Sequence, residues 1–289
     1  MPQTGPSGPS LIPGNEMPAS ASARPLAYLT RAGRAASYPI LGIWYFLRNR
    51  EFWPLFLGRI LPLSLISFLV YLVLFTFTFL PQYAFLAIFN GWGAWVNAVV
   101  LVLGEGLVII QGLFEGFFVD ECRVDVFDAT LIKHSFTEMI APHRVLLLDA
   151  PNAVKMLGKP TTAAVYTPWS LIQMVELAVF LPLNLIPVLG TPAFIVITGT
   201  RLGKLSHYRW FQLRGLTKEE KKKEARSLVW DDIWFGTVAM ILELIPILSL
   251  FFLLTTTAGA ALWVVRIEEE RKKRVEARDE PPPAYHDIV

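Results

Sequence analysis

This sequence is poor in charge. Only 17% of its 289 residues are Asp, Glu, Lys or Arg, and 54% are hydrophobic. Soluble domains carry about a quarter charged residues. Between positions 60 and 104 there is no Asp, Glu, Lys, Arg or His at all. These deficits exclude an ordinary soluble domain and predict a membrane protein.

Cysteine, histidine and enzyme motifs are equally scarce. The single Cys122 excludes an internal disulfide, and the four His are scattered without ligand spacing, so we expect neither a metal site nor a cofactor. The sequence has no phosphate-binding Gly loop, no G-x-S-x-G and no H-E-x-x-H. We therefore expect no catalytic residues and no enzyme.

Composition divides the chain into three regions. Residues 1–36 are rich in Pro, Ser and Gly, lack the pattern of a secretory signal peptide and are predicted to be disordered. Residues 37–268 form a predicted helical membrane domain. Residues 269–289 form a predicted charged cytosolic tail.

The charge-free run predicts two long transmembrane helices. Its 45 residues, at about 1.5 Å per residue, suffice for two crossings of a hydrocarbon core of about 30 Å. Helix breakers at Pro81 and around Asn90–Gly93 predict helices near 60–80 and 94–118.

Two later apolar segments, 168–200 and 233–265, carry the same Leu-x-Leu-Ile-Pro near their midpoints. Proline breaks a helix, and a limb of about 16 residues, or ~25 Å, is too short to cross. We therefore predict two re-entrant helical hairpins with apices at Pro182, Pro187 and Pro246. A single kinked span with an interfacial helix remains the alternative.

The basic residues indicate the topology. All 26 Lys and Arg lie in four segments, 1–59, 119–167, 201–232 and 266–289, outside the apolar blocks. If each block enters and leaves on one side, the positive-inside rule puts all four segments and both termini in the cytosol. The far-side connection is short and uncharged, so a bilayer and a phospholipid monolayer are both permitted.

The segment 204–235 mixes basic and aromatic residues and is interpreted as amphipathic helix lying along the headgroups. Lys221–Lys223 would attract anionic lipid at about 1 kcal/mol per charge. A solvated polar helix without lipid preference is an equally good interpretation. Acidic residues among the Lys and Arg argue against a nucleic-acid partner.

Four acids lie within apolar stretches that contain no Lys or Arg: Glu105, Glu115, Glu176 and Glu243. An ionisable group at that depth is a functional candidate. They form either a polar or proton-coupled path at the hairpin apices, or edge residues that reach headgroups and cap neighbouring helices. The edge interpretation is favoured for Glu115.

Asp120, Asp125 and Asp128 resemble an acidic cluster, but their spacing is that of residues on a helix surface next to Lys133. We interpret them as surface residues without a catalytic role.

Several stretches suggest a family. They are SYPILGIWYFLRNREFWPLF (37–56), FVDECRVDVFDATLI (118–132), LPLNLIPVLGTPAFIVITGTRLGKLSHYRWFQLRG (181–215), FGTVAMILELIPIL (235–248) and AGAALWVVRIE (258–268). Together they resemble the fungal outer-spore-wall and lipid-droplet (Lds-type) membrane proteins of the etoposide-induced protein and CysZ-like superfamily.

The resemblance implies a non-enzymatic protein of the endoplasmic reticulum or lipid droplet that takes part in lipid-droplet or spore-wall organisation, with membrane lipids as partners. For the CysZ branch it implies permeation of a small anion through two long transmembrane helices and two half-penetrating hairpins. That alternative function is less favoured, because the sequence places only acids within the apolar stretches. A homo-oligomer is left open.

The C-terminus carries a partner motif. Pro282, Pro283 and Tyr285 match P-P-x-Y, the ligand pattern of WW domains, and consecutive prolines pre-form the polyproline II helix that docks. We expect a WW-domain ubiquitin ligase of the Nedd4 type as partner, with 266–280 as a charged helical spacer. Binding of a 266–289 peptide to WW domains that survives Tyr285→Ala would contradict this.

Overall fold

The computed structural model describes residues 23–115, 119–160, 189–245 and 248–279, together with positions 179, 183 and 186. The long helices are α1 (Ala23–Arg48), α2 (Leu61–Phe77), α3 (Phe79–Asn90), α4 (Ala94–Glu115), α5 (Val119–Lys133), α8 (Gly190–Ser206), α10 (Lys218–Glu243) and α11 (Ser249–Asp279). The short elements include α6 (Thr137–Ile140), β1 (Arg144–Leu146), α7 (Ala153–Met156), β2 (Leu157–Pro160) and α9 (Tyr208–Leu213), besides short helical turns between 50 and 60, at 91–93 and at 141–143.

The fold is mostly helical, as the sequence predicts, with one small addition. Strands β1 and β2 form an antiparallel hairpin in which Arg144 lies opposite Pro160 and Leu146 opposite Leu157. The prediction of an all-α protein did not include this hairpin, since a strand of three or four residues has too short a pattern to be recognised.

Helix α11 lies at the centre of the helices that pack around it. Helix α1 runs antiparallel to α11: Tyr38 stacks on Trp263 with ring centroids 5.7 Å apart, and Gly42 meets the backbone near Thr255. A Cβ added to Gly42 would lie 2.1 Å from the Thr255 carbonyl oxygen. The two backbones therefore touch where no other residue fits.

Helices α8 and α10 pack in the same way. A Cβ added to Gly236 would lie 1.8 Å from the carbonyl oxygen of Gly199, and one on Gly203 would lie 2.1 Å from that of Asp232. Gly199 and Gly203 are four residues apart and share one face of α8. This small-residue contact makes α8 and α10 an antiparallel pair.

Helices α2, α3 and α4 form a long helical hairpin. Only Thr78 separates α2 from α3, and its N–H donates to the Leu74 carbonyl as in a continuous helix. Gln82 on α3 donates to Glu105 on α4 at 2.6 Å, whereas a straight helix would hold them roughly 35 Å apart. The chain therefore turns back at Gly91, whose φ of +52° favours glycine.

The two long helices predicted from the charge-free run are present as the limbs of this hairpin. The observed α2 and α4 lie within a few residues of the predicted ranges, and the turn falls at Asn90–Gly93 as expected. The break predicted at Pro81 falls three residues earlier, at Thr78, between α2 and α3. Pro81 lies in the first turn of α3, where its missing N–H has no helical partner to lose.

Two stretches have the length and apolar character of a membrane span, Phe79–Leu107 and Ser249–Asp279, although the first is folded back at Gly91. Their surroundings differ: 28% of the most apolar window is buried by protein in the first and 78% in the second. The hairpin therefore leaves most of its apolar surface uncovered by protein, while the apolar part of α11 is largely covered by other helices. The chain is accordingly a helical membrane protein.

Two predicted region boundaries need correction. Helix α1 begins at Ala23, inside the segment predicted to be disordered, because Arg31 pairs with Asp231 and Ala35 is buried. Residues 1–22 lie outside the described residues. The predicted boundary at 268 falls in the middle of α11, which continues as a helix to Asp279 and confirms the helical spacer as far as that residue.

The second Leu-Ile-Pro does interrupt the helix. Helix α10 ends at Glu243 and α11 begins at Ser249. The two helices are longer than the predicted limbs, at 26 and 31 residues, because both continue through charged sequence. Pro246 itself lies outside the described residues, as do Pro182 and Pro187.

Candidate functional site

A buried cluster of four charged side chains joins α5, β1 and α9. Asp128, with no exposed surface, accepts hydrogen bonds from Arg209 at 2.7 and 3.0 Å and from Arg144 at 3.3 Å. Arg144 also donates to Asp125 at 2.6 Å. Two carboxylates thus balance two guanidinium groups, the arrangement in which a buried charge is tolerated.

The interpretation of the acidic cluster as surface residues is therefore wrong for Asp128. The helical spacing was read correctly, since Asp125 and Asp128 do lie on one helix. The burial of Asp128 could not be predicted, because its partners Arg144 and Arg209 lie 16 and 81 residues away in the sequence. The side chain of Asp120 is not among those described.

A second cluster joins α9, α10 and α11. Glu224 forms an ion pair with Arg214, at 2.9 Å, and accepts a hydrogen bond from Arg271 at 3.1 Å. The indole N–H of Trp210 donates to Glu268 at 2.7 Å. All five side chains are less than a quarter exposed or packed in the core, so these contacts hold the charged ends of the three helices together.

Two further pairs of basic and acidic side chains lie near these two clusters. Arg31 of α1 forms a bidentate contact with Asp231 of α10, at 2.6 and 2.8 Å. Nδ1 of His207 lies 3.1 Å from Asp232 Oδ1, and both side chains are almost wholly buried. Burial raises the pKa of Asp232, and the neighbouring His207 acts in the opposite direction.

These contacts connect all four basic segments of the sequence. Arg31 links the first segment to the third, Arg209 links the second to the third through Asp128, and Arg271 links the third to the fourth through Glu224. The described parts of the four segments are thus joined by ion pairs, and we call them together the charged end. It is the arrangement expected if they share one side of a membrane.

The opposite end of the hairpin has a different character. Positions 60–104 carry no charge, and Trp92 at the turn is 96% exposed. Large apolar side chains point outward along its limbs, including Leu65, Leu69, Phe77, Leu80, Ile88 and Phe89. An exposed apolar surface of this extent needs lipid or another protein to cover it.

Among the four acids of the apolar stretches, Glu105 and Glu243 have different surroundings. Glu105 accepts a hydrogen bond from Gln82 and so ties together the hairpin limbs. Glu243 is 1% exposed, and Arg123 of α5 lies close enough to act on it electrostatically. Arg123 in turn donates to Thr257 at 3.3 Å. The sequence interpretation missed this basic side chain, because it assigned all of 119–167 to the polar exterior.

The basic run Lys221–Lys223 on α10 is only partly available to bind lipid headgroups. Thr217 caps this helix with a reciprocal Thr217–Glu220 capping box. The ammonium group of Lys221 lies 4.1 Å from the centroid of the Tyr208 ring, a cation–π contact that holds the side chain against α9. Lys222 and Lys223 are exposed. Helix α10 packs between α8 and α1, a position that the interpretation as a helix lying along the headgroups did not include.

Several predicted site residues lie outside the described residues: Glu176, Pro182, Pro187, Pro246, Pro282, Pro283 and Tyr285. The hairpin apices and the P-P-x-Y motif therefore stay predictions. For Glu115 the helix is described but the side chain is not.

Within the part of the chain that the structure describes, no three His, Cys, Asp or Glu side chains come together as metal ligands would. No family model, curated protein or solved structure matches this chain. What the geometry defines is a class: a helical membrane protein with one apolar hairpin and one ion-paired charged end.

Proposed function

We propose that this chain is a non-enzymatic membrane protein that inserts from the cytosolic face of the endoplasmic reticulum and also enters the surface of lipid droplets. The observation that supports it most is the division of the molecule into an exposed hairpin with no charged residue between positions 60 and 104 and a charged end to which all four basic segments contribute.

The proposal follows from the free-energy cost of placing each end of the molecule in hydrocarbon or in water. Charged side chains are expensive in hydrocarbon, so the charged end stays in water, and its 26 Lys and Arg favour the cytosol. The turn at Gly91–Gly93 exposes Trp92 and no charge, so it needs no aqueous compartment beyond it. A chain of this kind tolerates the monolayer that surrounds neutral lipid.

Re-entrant hairpins extend this proposal. The break between α10 and α11 and the exposed Leu189, Ile241 and Leu248 fit apolar apices that dip into the membrane and return. A role in lipid-droplet or spore-wall organisation, with amphipathic helices on the cytosolic surface, is the function that agrees with this placement.

Imaging tests the proposal. A tagged full-length chain should co-localise with an endoplasmic-reticulum marker and gather at droplet rims stained by a neutral-lipid dye after fatty-acid loading. An even signal in the plasma membrane, without droplet rims, would contradict it. A tagged chain lacking 61–93 is the control, since it should lose the droplet signal.

One observation favours a second candidate, permeation of a small anion. Arg123 is buried, donates a hydrogen bond to Thr257 and lies within electrostatic range of Glu243, which supplies a buried basic side chain that the sequence did not reveal. A buried acid, Glu243, lies within electrostatic range of Arg123, so we rank this candidate second. Anion flux in liposomes containing the purified chain, reduced by Arg123→Gln, would favour it over the first.

A further inference from the structure

A cavity of about 250 Å³ lies between α1, α10 and α11, and the Arg31–Asp231 ion pair of the charged end forms part of its lining. Its charged lining residues are Arg31, Arg34, Asp231, Arg266 and Glu270. Its floor includes Tyr38 and Trp263, which stack on each other and are each about 6% exposed. The cavity thus combines a polar mouth with an apolar, aromatic floor.

One of the arginine side chains that line the cavity has no carboxylate partner there. Arg31 is held by Asp231 at 2.6 Å, and Arg266 by Glu270 at 2.9 Å. Arg34 forms no ion pair with any residue that the structure describes. Three arginines against two carboxylates give the lining one positive charge more than it has negative. A guanidinium group binds phosphate oxygens in a planar, two-pronged contact.

The size of the cavity limits the ligand. Pockets that enclose a drug-sized molecule measure about 300–1,000 Å³, so this one suits a headgroup better than a whole lipid. The phosphate monoester of phosphatidic acid, the simplest phospholipid, carries at least one negative charge, which the single unpaired Arg34 can balance. The aromatic floor suits the glycerol carbons next to the phosphate.

The cavity lies where the apolar part of α11 ends. No charged residue occurs between Ser249 and Val265, and the next residue, Arg266, lines the cavity. On α1, Leu41 lies seven residues after Arg34, which places both on one helix face. Leu41 and Trp44 are 47% and 66% exposed. An apolar strip thus leads away from the mouth of the cavity.

We propose that this cavity binds the phosphate of a phospholipid headgroup, with Arg34 as its charge partner and the acyl chains along Leu41 and Trp44. The site rests on the proposed function in one respect, that α1 lies at a membrane surface. A free oxyanion offers the same phosphate-like charge to Arg34 but has nothing to place on the apolar strip, so lipid should bind more tightly.

The test uses the purified full-length chain in detergent and two probes, short-chain phosphatidic acid and inorganic phosphate, with binding measured by calorimetry. Arg34→Gln should weaken the binding of phosphatidic acid by about tenfold or more. The matched control is Arg48→Gln, which removes another exposed arginine from the same helix outside the cavity. It should bind as the wild type does.

Equal losses in Arg34→Gln and Arg48→Gln, or no loss in either, would overturn the cavity as the site. Inorganic phosphate that binds as tightly as phosphatidic acid would overturn the lipid as ligand and leave a free-anion site. The imaging above separates this from the proposed function, because Arg34→Gln should still reach droplets. If the wild type fails to reach droplets, the proposed function fails whatever the calorimetry shows.

Discussion

Asp128→Ala should destabilise the chain more than any other single change at the charged end. The substitution leaves Arg144 and Arg209 buried, at 4% and 2% exposure, without their shared carboxylate. Breaking a buried pair in this way costs about 3–5 kcal/mol, so we expect the midpoint of thermal unfolding to fall by on the order of 10 °C.

The chain carries its own reporter for this measurement. Cys122 is its single cysteine and is fully buried on the same helix as Asp128. A fluorogenic maleimide added to the detergent-solubilised protein therefore reacts only as α5 loses its packing. Asp125→Ala is the control: Asp125 pairs with Arg144 but is 19% exposed, so its loss should lower the midpoint much less. Equal shifts for both variants would contradict the assigned geometry.

Gly236→Ala should give the second large effect. The added Cβ would lie 1.8 Å from the carbonyl oxygen of Gly199 and 2.7 Å from the backbone nitrogen of Gly203. Neither atom belongs to a flexible side chain, so α8 and α10 must move apart. Overpacking of this kind costs about 1–3 kcal/mol and occasionally more, which outweighs the gain in helix propensity of about 1 kcal/mol.

Gly33→Ala is the matched control for that experiment. Gly33 also lies inside a helix, but a Cβ there meets nothing within 4 Å. It should leave the thermal midpoint unchanged or raise it slightly, because alanine restricts the unfolded chain more than glycine does. A rise for Gly236→Ala as well would show that α8 and α10 do not touch through their backbones.

The parts of the fold that depend on local pattern could be predicted from the sequence. The charge-free run predicted the hairpin limbs, and Asn90–Gly93 predicted the turn, because a break in hydrophobic sequence needs only neighbouring residues to be recognised. The interruption between α10 and α11 followed from Pro246 for the same reason. In each case the cause and its effect lie within a few residues.

The parts that depend on distant partners could not be predicted. Arg31 finds Asp231 across 200 residues, and that contact helps to order a helix in a segment whose composition predicted disorder. Arg209 finds Asp128 across 81 residues. The Gly199–Gly203 spacing was present in the sequence, but a spacing that is common in apolar segments indicates nothing until its partner helix is known.

The buried position of α11 shows the same limit. Its composition is that of a membrane span, yet 78% of its most apolar window is covered by protein. Hydropathy measures how apolar a helix is and not what covers it, so a core helix and a lipid-facing helix can score alike. The helix α11 and the hairpin differ in how much of their apolar surface other parts of the protein cover, and not in how apolar they are.

The central claim, insertion from one face, is tested most directly by labelling in sealed endoplasmic-reticulum vesicles with an impermeant maleimide. Cysteines are placed singly at Lys222 in the charged end and at Trp92 in the hairpin turn, and the parent chain with its buried Cys122 gives the background. We predict rapid labelling of Lys222→Cys in intact vesicles and none of Trp92→Cys. Labelling of Trp92→Cys in intact vesicles, with Lys222→Cys reached only after permeabilisation, would contradict it.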